Sequence, residues 1–229
     1  KMGAYGLFRL PLTLFPHALS EFQDWIMIIG MVSLVYGAFV CLGQTNLKRM
    51  VAYSSVSHMG IVMLGIASMQ PLGFAGAIFM MFAHGIISPM LFSICGSFKH
   101  HYHTLEIGSM RGIAKASPYM SVYMMFAWMA SLGLPLLAGF VAEITVLVAF
   151  WMEYGWWVLL PALTLVITAG YYLWSMQRTI LEGDGEIQLP DTMGDDKPRD
   201  ISPWENVGNM LMAILIVLFG ILPWIIWGM

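Results

Sequence analysis

Long apolar runs dominate the chain and leave it few folds to choose from. Seven hydrophobic segments cover residues 1–15, 22–43, 49–69, 72–98, 119–152, 156–180 and 205–228. Most are long enough to cross a hydrocarbon core about 30 Å thick at about 1.5 Å of helical rise per residue. No alternating strand pattern competes with them. Backbone polar groups inside lipid must be satisfied within their own segment, so the expected class is an all-α membrane protein of about seven transmembrane helices. Only 10% of the residues are charged, where a water-facing domain carries about 25%. This excludes a soluble enzyme, and the lack of a basic patch excludes nucleic acid as a partner. Cys41 and Cys95 lie in apolar runs without metal or redox spacing and read as packing residues.

The charge between the segments sets a topology. Alternating the loops across a bilayer puts Lys48, Arg49, Lys99, Arg111, Lys115, Arg178, Lys197 and Arg199 on one side, and no Lys or Arg in the loops of the other. That asymmetry marks the basic side as cytoplasmic. Seven of the thirteen acids fall between Glu182 and Asp200, giving an acidic cytoplasmic loop over 181–204 before a closing helix over 205–228. The chain starts at Lys1-Met2 without the pattern of a signal peptide, and its first apolar stretch spans only about 21 Å. It reads as a fragment with helices preceding it.

Segment 119–152 is too long for one straight crossing, since its 34 residues would reach about 51 Å. Pro135 removes a backbone donor and crowds the carbonyl of Ser131, while Gly133 and Gly139 flank the spot, and the freed backbone groups need protein or water partners. The expectation is a discontinuous helix with a loop near 133–138, a simple proline kink being the alternative. Glu143 follows this break as the only Asp, Glu, Lys, Arg or His between Tyr119 and Met152. A carboxylate at membrane depth costs roughly 2.5–3.5 kcal/mol on insertion scales, so its default reading is functional. Broken helices are also where transporters place their ion sites.

Lys1, His58 and His84 are the other ionisable groups to weigh at membrane depth. Ser54 lies one turn before His58, and Ser88 lies one turn after His84. Histidine titrates near neutrality and can take up and release protons. A neutral histidine satisfied by a neighbouring helix is the structural alternative. Lys1, His58, His84 and Glu143 together suit a proton pathway, with Gly133, Pro135 and Gly139 as the hinge of the broken helix. His100, His101 and His103 read as a solvated loop cluster and not a metal site.

Five stretches then carry a resemblance: Lys1–Arg9, Gln44–Arg49, Ala52–Gly60, Ala83–Gly85 and Gly139–Glu143. In this order they resemble the M-type (chain 4) antiporter-like subunit of respiratory complex I and its archaeal relatives. The likeness runs from residue 1 to about 182. It implies the C-terminal half of a fourteen-helix subunit: residues 1–15 end one inverted repeat, 22–180 form a second five-helix repeat, and 205–228 close the chain. It further implies that Lys1, His58 and His84 belong to a central polar axis and that Glu143 stands at its outlet. The uptake-side glutamate and lysine would lie upstream. Asn46, Leu105 and Arg111-Gly112 depart from the common pattern, all in cytoplasmic loops.

The function so implied is proton translocation by a non-redox subunit of a complex I-type dehydrogenase, driven by electron transfer elsewhere in the complex. No cofactor is expected. The partners are neighbouring membrane subunits, including other antiporter-like ones, together with the bilayer, water and protons. The location is a prokaryotic cytoplasmic membrane, or an organellar inner membrane. Alternatives are a cation/proton antiporter module or membrane-hydrogenase subunit and, more remotely, a structural spacer or a haem protein ligated by His58 and His84. Related Na⁺/H⁺ antiporter subunits usually carry Lys where Glu143 stands, which favours the complex I branch.

Overall fold

In a computed structural model of the protein, residues 1–181 and 199–227 are described. Among them the chain is almost wholly helical. Three short helices, α1 (Met2–Arg9), α2 (Pro11–Leu14) and α3 (Pro16–Glu21), lead into α4 (Gln23–Leu42), α5 (Leu47–Ala67) and α6 (Pro71–Tyr102). A short α7 (Ile113–Ala116) precedes α8 (Pro118–Ser131) and α9 (Ala138–Tyr154). Then come α10 (Leu159–Met176), α11 (Pro203–Ile221) and α12 (Trp224–Trp227). Proline opens α6, α8 and α11, positions where its missing N–H has no helical acceptor to lose. Ser202 and Glu205 add a capping box to α11.

Five helical runs among the described residues are long and apolar enough to span a bilayer, and the chain is a multi-pass membrane protein. The expected count of seven is not confirmed. Residues 1–15 form no spanning helix, because Pro11 and Pro16 restart the chain as short pieces. The run 138–181 folds back at Gly155, whose φ of 56° favours glycine. Ile144 of α9 and Val166 of α10 line one cavity, whereas a straight helix would hold residues so spaced about 33 Å apart. The loop expected to follow segment 72–98 also begins later. Helix α6 runs on through Lys99, His100 and His101 and ends at the left-handed His103. The acidic stretch 182–198 lies outside the described residues.

The loops gather at two ends, as alternation across a bilayer requires. At the basic end, Leu47 N donates to Leu105 O at 2.9 Å and Ile107 N to Thr45 O at 2.8 Å. There Asp200 caps α8, accepting from Tyr119 N at 2.8 Å and Met120 N at 3.0 Å. At the opposite end, Gln23 and Gln70 donate to the two carboxylate oxygens of Glu153 at 3.0 and 3.1 Å.

Small residues let the central helices meet. A Cβ on Gly60 would stand 2.6 Å from Leu34 N, and one on Gly37 would stand 2.7 Å from Ser57 N. The α4–α5 seam is therefore backbone against backbone, the close approach that glycine permits between membrane helices. Gly60→Leu is expected to force this seam apart, with a loss of roughly 1–3 kcal/mol or more from overpacking. A lower melting temperature of the detergent-solubilised protein checks it; unchanged melting contradicts the seam.

Candidate functional site

The break between α8 and α9 builds the site. An uninterrupted helix would bond the N–H of residue 135 to the carbonyl of residue 131. Pro135 has no N–H, so the Ser131 carbonyl is freed inside the bilayer, where an unsatisfied acceptor is costly. His58, from the middle of α5, fills the gap: its Nε2 stands 3.0 Å from Ser131 O. A carbonyl only accepts, so Nε2 carries the proton in this contact and Nδ1 of a neutral ring is an acceptor. Nδ1 is buried and finds no partner among the described residues.

Glu143, in the second turn of α9, brings Oε1 to 3.9 Å from His58 Nε2. This distance is too long for a hydrogen bond, and Oε1 is likewise buried and unpartnered. Gly133 makes the carboxylate's position possible. It takes φ 78°, and a Cβ there would collide with Glu143 Oε2. Gly139 packs directly under the Ala130 carbonyl, which a Cβ would also strike.

His84 of α6 completes the cluster. Its ring meets that of His58 edge-on at 5.3 Å between centroids, and Ser88 Oγ lies 2.8 Å from its Nδ1. Lys1 Nζ lies 3.5 Å from where a Cβ on Gly85 would stand, beside His84. Pro89 frees the Gly85 carbonyl just as Pro135 frees that of Ser131.

His58, His84, Ser131 and Glu143 line a common cavity with about 10 Å³ open to the centre of a water molecule. Roughly that volume holds one water when two or more polar partners face it. On its other side Glu143 reaches a cavity of about 300 Å³ between α9 and α10, lined by Leu147, Leu165 and Ala169 among others. The arrangement can therefore hold a proton on either of two bases across a single-water gap. No group of His, Cys, Asp and Glu that could hold a metal occurs among the described residues.

The structure places His58, His84 and Glu143 together and sets Lys1 at the edge of the group. The Ser131 carbonyl, expected from Pro135 to need a partner, finds it in His58. One participant was not anticipated: Tyr172, whose Oη lies 2.7 Å from Ser131 Oγ.

A family model described as NADH:quinone oxidoreductase/Mrp antiporter, transmembrane, matches residues 1–168. The chain belongs to this family. It is 42% identical to F(420)H(2) dehydrogenase subunit M of Methanosarcina mazei over 226 residues, which is 97% of this chain and 44% of that protein. It is 35% identical to NADH-quinone oxidoreductase subunit M of Rickettsia prowazekii, again over 97% of this chain and 44% of the relative. The chain thus spans less than half the length of these curated relatives. A chain of respiratory complex I from Thermus thermophilus with bound NADH superposes with a TM-score of 0.88 at 28% identity, covering 97% of this chain and 45% of that one.

The cavity between α9 and α10 predicts a chemical property of Glu143. An apolar carbodiimide should modify it, and Ala169→Phe, which fills the cavity, should slow that modification several-fold. Peptide mass mapping reads both. Equal labelling in the two proteins would show that the carboxyl is not reached by this route.

Proposed function

We propose that this chain is part of a proton-translocating, antiporter-like subunit of a complex I-type oxidoreductase assembly, seated among other membrane subunits. It carries no redox chemistry of its own. One observation supports this above the rest: a buried carboxylate and a buried imidazole face each other at 3.9 Å around a water-sized space, and each has an unpartnered atom. The subunit M identity of its relatives supports the assembly. Their electron donors differ by name, so the donor used here stays open between F420H2 and NADH.

His58, His84 and Glu143 are the pathway residues in this reading, with Lys1 bordering them. A proton arriving at His58 Nδ1 converts the ring to imidazolium while Nε2 still donates to Ser131 O. The Nε2 proton can then pass to Glu143, through one water or a small approach, which leaves the ring neutral in the other tautomer. Rotation or a returning proton resets it. Gly133, Pro135 and Gly139 form the hinge that lets the carboxylate change partners. Residues 22–180 act as one five-helix unit, with the basic end facing the cytoplasm.

Glu143→Gln keeps the volume and removes the exchangeable charge. In the intact assembly, reconstituted into liposomes and driven by NADH or F420H2, it should lose most proton pumping while all subunits still co-purify. Wild-type pumping by this variant would remove Glu143 from the pathway.

A further inference from the structure

The buried face of α10 is lined with oxygen. Thr164, Thr168, Tyr171, Tyr172 and Ser175 are all buried, and Thr179, just past the helix end, extends the row. Such a stripe would ordinarily be structural, since hydroxyls in membrane helices bond back to their own carbonyls. Three members do so: Thr164 donates to Leu160 O at 2.9 Å, Thr168 to Thr164 O at 3.1 Å, and Thr179 to Ser175 O at 2.8 Å. Two do not. Tyr171 Oη and Ser175 Oγ are wholly buried and have no hydrogen-bond partner among the described residues. Buried hydroxyls left in this way mark positions for ordered water.

These two orphans lie between two polar features. On the basic side is an open cavity of about 420 Å³, lined by Thr45, Glu106, Ser109, Trp174 and Arg178. The Arg178 guanidinium sits over the Trp174 ring at 4.5 Å, and Ser175 follows Trp174 directly. On the other side, the Tyr171 ring lies beside that of Tyr172, tilted by 49° at 4.5 Å between centroids. Tyr172 Oη is bonded to Ser131 Oγ, and the Ser131 carbonyl is bonded to His58. From Thr179 to Tyr172 the helix rises only about 10 Å.

We propose that this face of α10 is a proton inlet from the basic side: a relay of hydroxyls and water running from the Glu106/Arg178 cavity through Ser175 and Tyr171 to Tyr172 and the Ser131 hydroxyl, and from there through water to His58 Nδ1, which has no partner of its own. It rests on the proton-transport reading above and adds a cytoplasmic connection within this half of the subunit. At each hydroxyl or water an oxygen accepts a proton on a lone pair and releases its own to the next, and the last water gives its proton to His58 Nδ1. The oxygens are left neutral and the charge rests on the His58 imidazolium, while waters at Tyr171, Ser175 and His58 Nδ1 supply the missing links.

Tyr171→Phe and Ser175→Ala each remove one oxygen and little volume. In the intact assembly in liposomes, driven by NADH or F420H2, each should lower the initial rate of proton pumping several-fold with subunit composition retained. Ser175→Thr, which keeps the hydroxyl, should restore it. If both oxygen-deleted variants pump at the wild-type rate while Glu143→Gln does not, the inlet is wrong and the Glu143 pathway stands. If Glu143→Gln also pumps normally, the pathway and its inlet both fall.

Discussion

A carbonyl freed inside the bilayer organises this protein. Pro135 denies Ser131 O its helical partner, and no water-rich surroundings exist to replace it. His58 supplies the missing donor from another helix at 3.0 Å. That single contact fixes which ring nitrogen holds the proton, leaves the other exposed to a small cavity, and ties α5 to the broken α8–α9 pair. The neighbouring glycines follow from the same need. Gly133 clears the space that the Glu143 carboxylate takes, and Gly139 admits the Ala130 carbonyl. Gly220 of α11 lets the terminal helix close over the Leu136 carbonyl, covering the interruption from outside.

The rest of the molecule keeps polarity away from lipid except along this line. Most hydroxyls in the helices are spent on their own backbones, as with Ser54, Thr145 and Thr164. Charges are held at the two ends, where Asp200 caps α8 and Glu153 gathers Gln23 and Gln70. Four of the eight buried side-chain atoms without a hydrogen-bond partner among the described residues lie on this line: His58 Nδ1, Glu143 Oε1, Tyr171 Oη and Ser175 Oγ; the others are His101 Nε2, Trp128 Nε1 and both amide atoms of Asn209. Each buried orphan costs about 1–3 kcal/mol unless water meets it.

Much of this was legible in the sequence. Apolar length predicted α4, α5, α6, α10 and α11. Loop charge predicted which loops share an end. Pro135 between two glycines predicted an interruption near 133–138, and the break falls at 132–137. Residues 1–15 misled because apolarity persists while Pro11 and Pro16 cut the helix into turns too short to span. The pairing of His58 with Ser131 and Glu143 could not be read. It depends on how each helix is rotated about its axis, and helices apolar on nearly every side carry no stripe that reveals rotation. That the Ser131 carbonyl needs a partner was legible, because it stands four residues before Pro135; which side chain supplies the donor was not. The orphan hydroxyls of α10 were visible only as a spacing of 164, 168, 171/172, 175 and 179, indistinguishable from ordinary self-bonded hydroxyls until their partners are known.

The central claim is that Glu143 changes its protonation as the assembly works. Infrared difference spectroscopy of the reconstituted assembly, recorded before and after adding electron donor, reads this directly. The expected result is a protonated-carboxyl band that changes in intensity on turnover, shifts in heavy water and is missing from Glu143→Gln. A wild-type spectrum with no turnover-dependent carboxyl band attributable to Glu143 would contradict the claim.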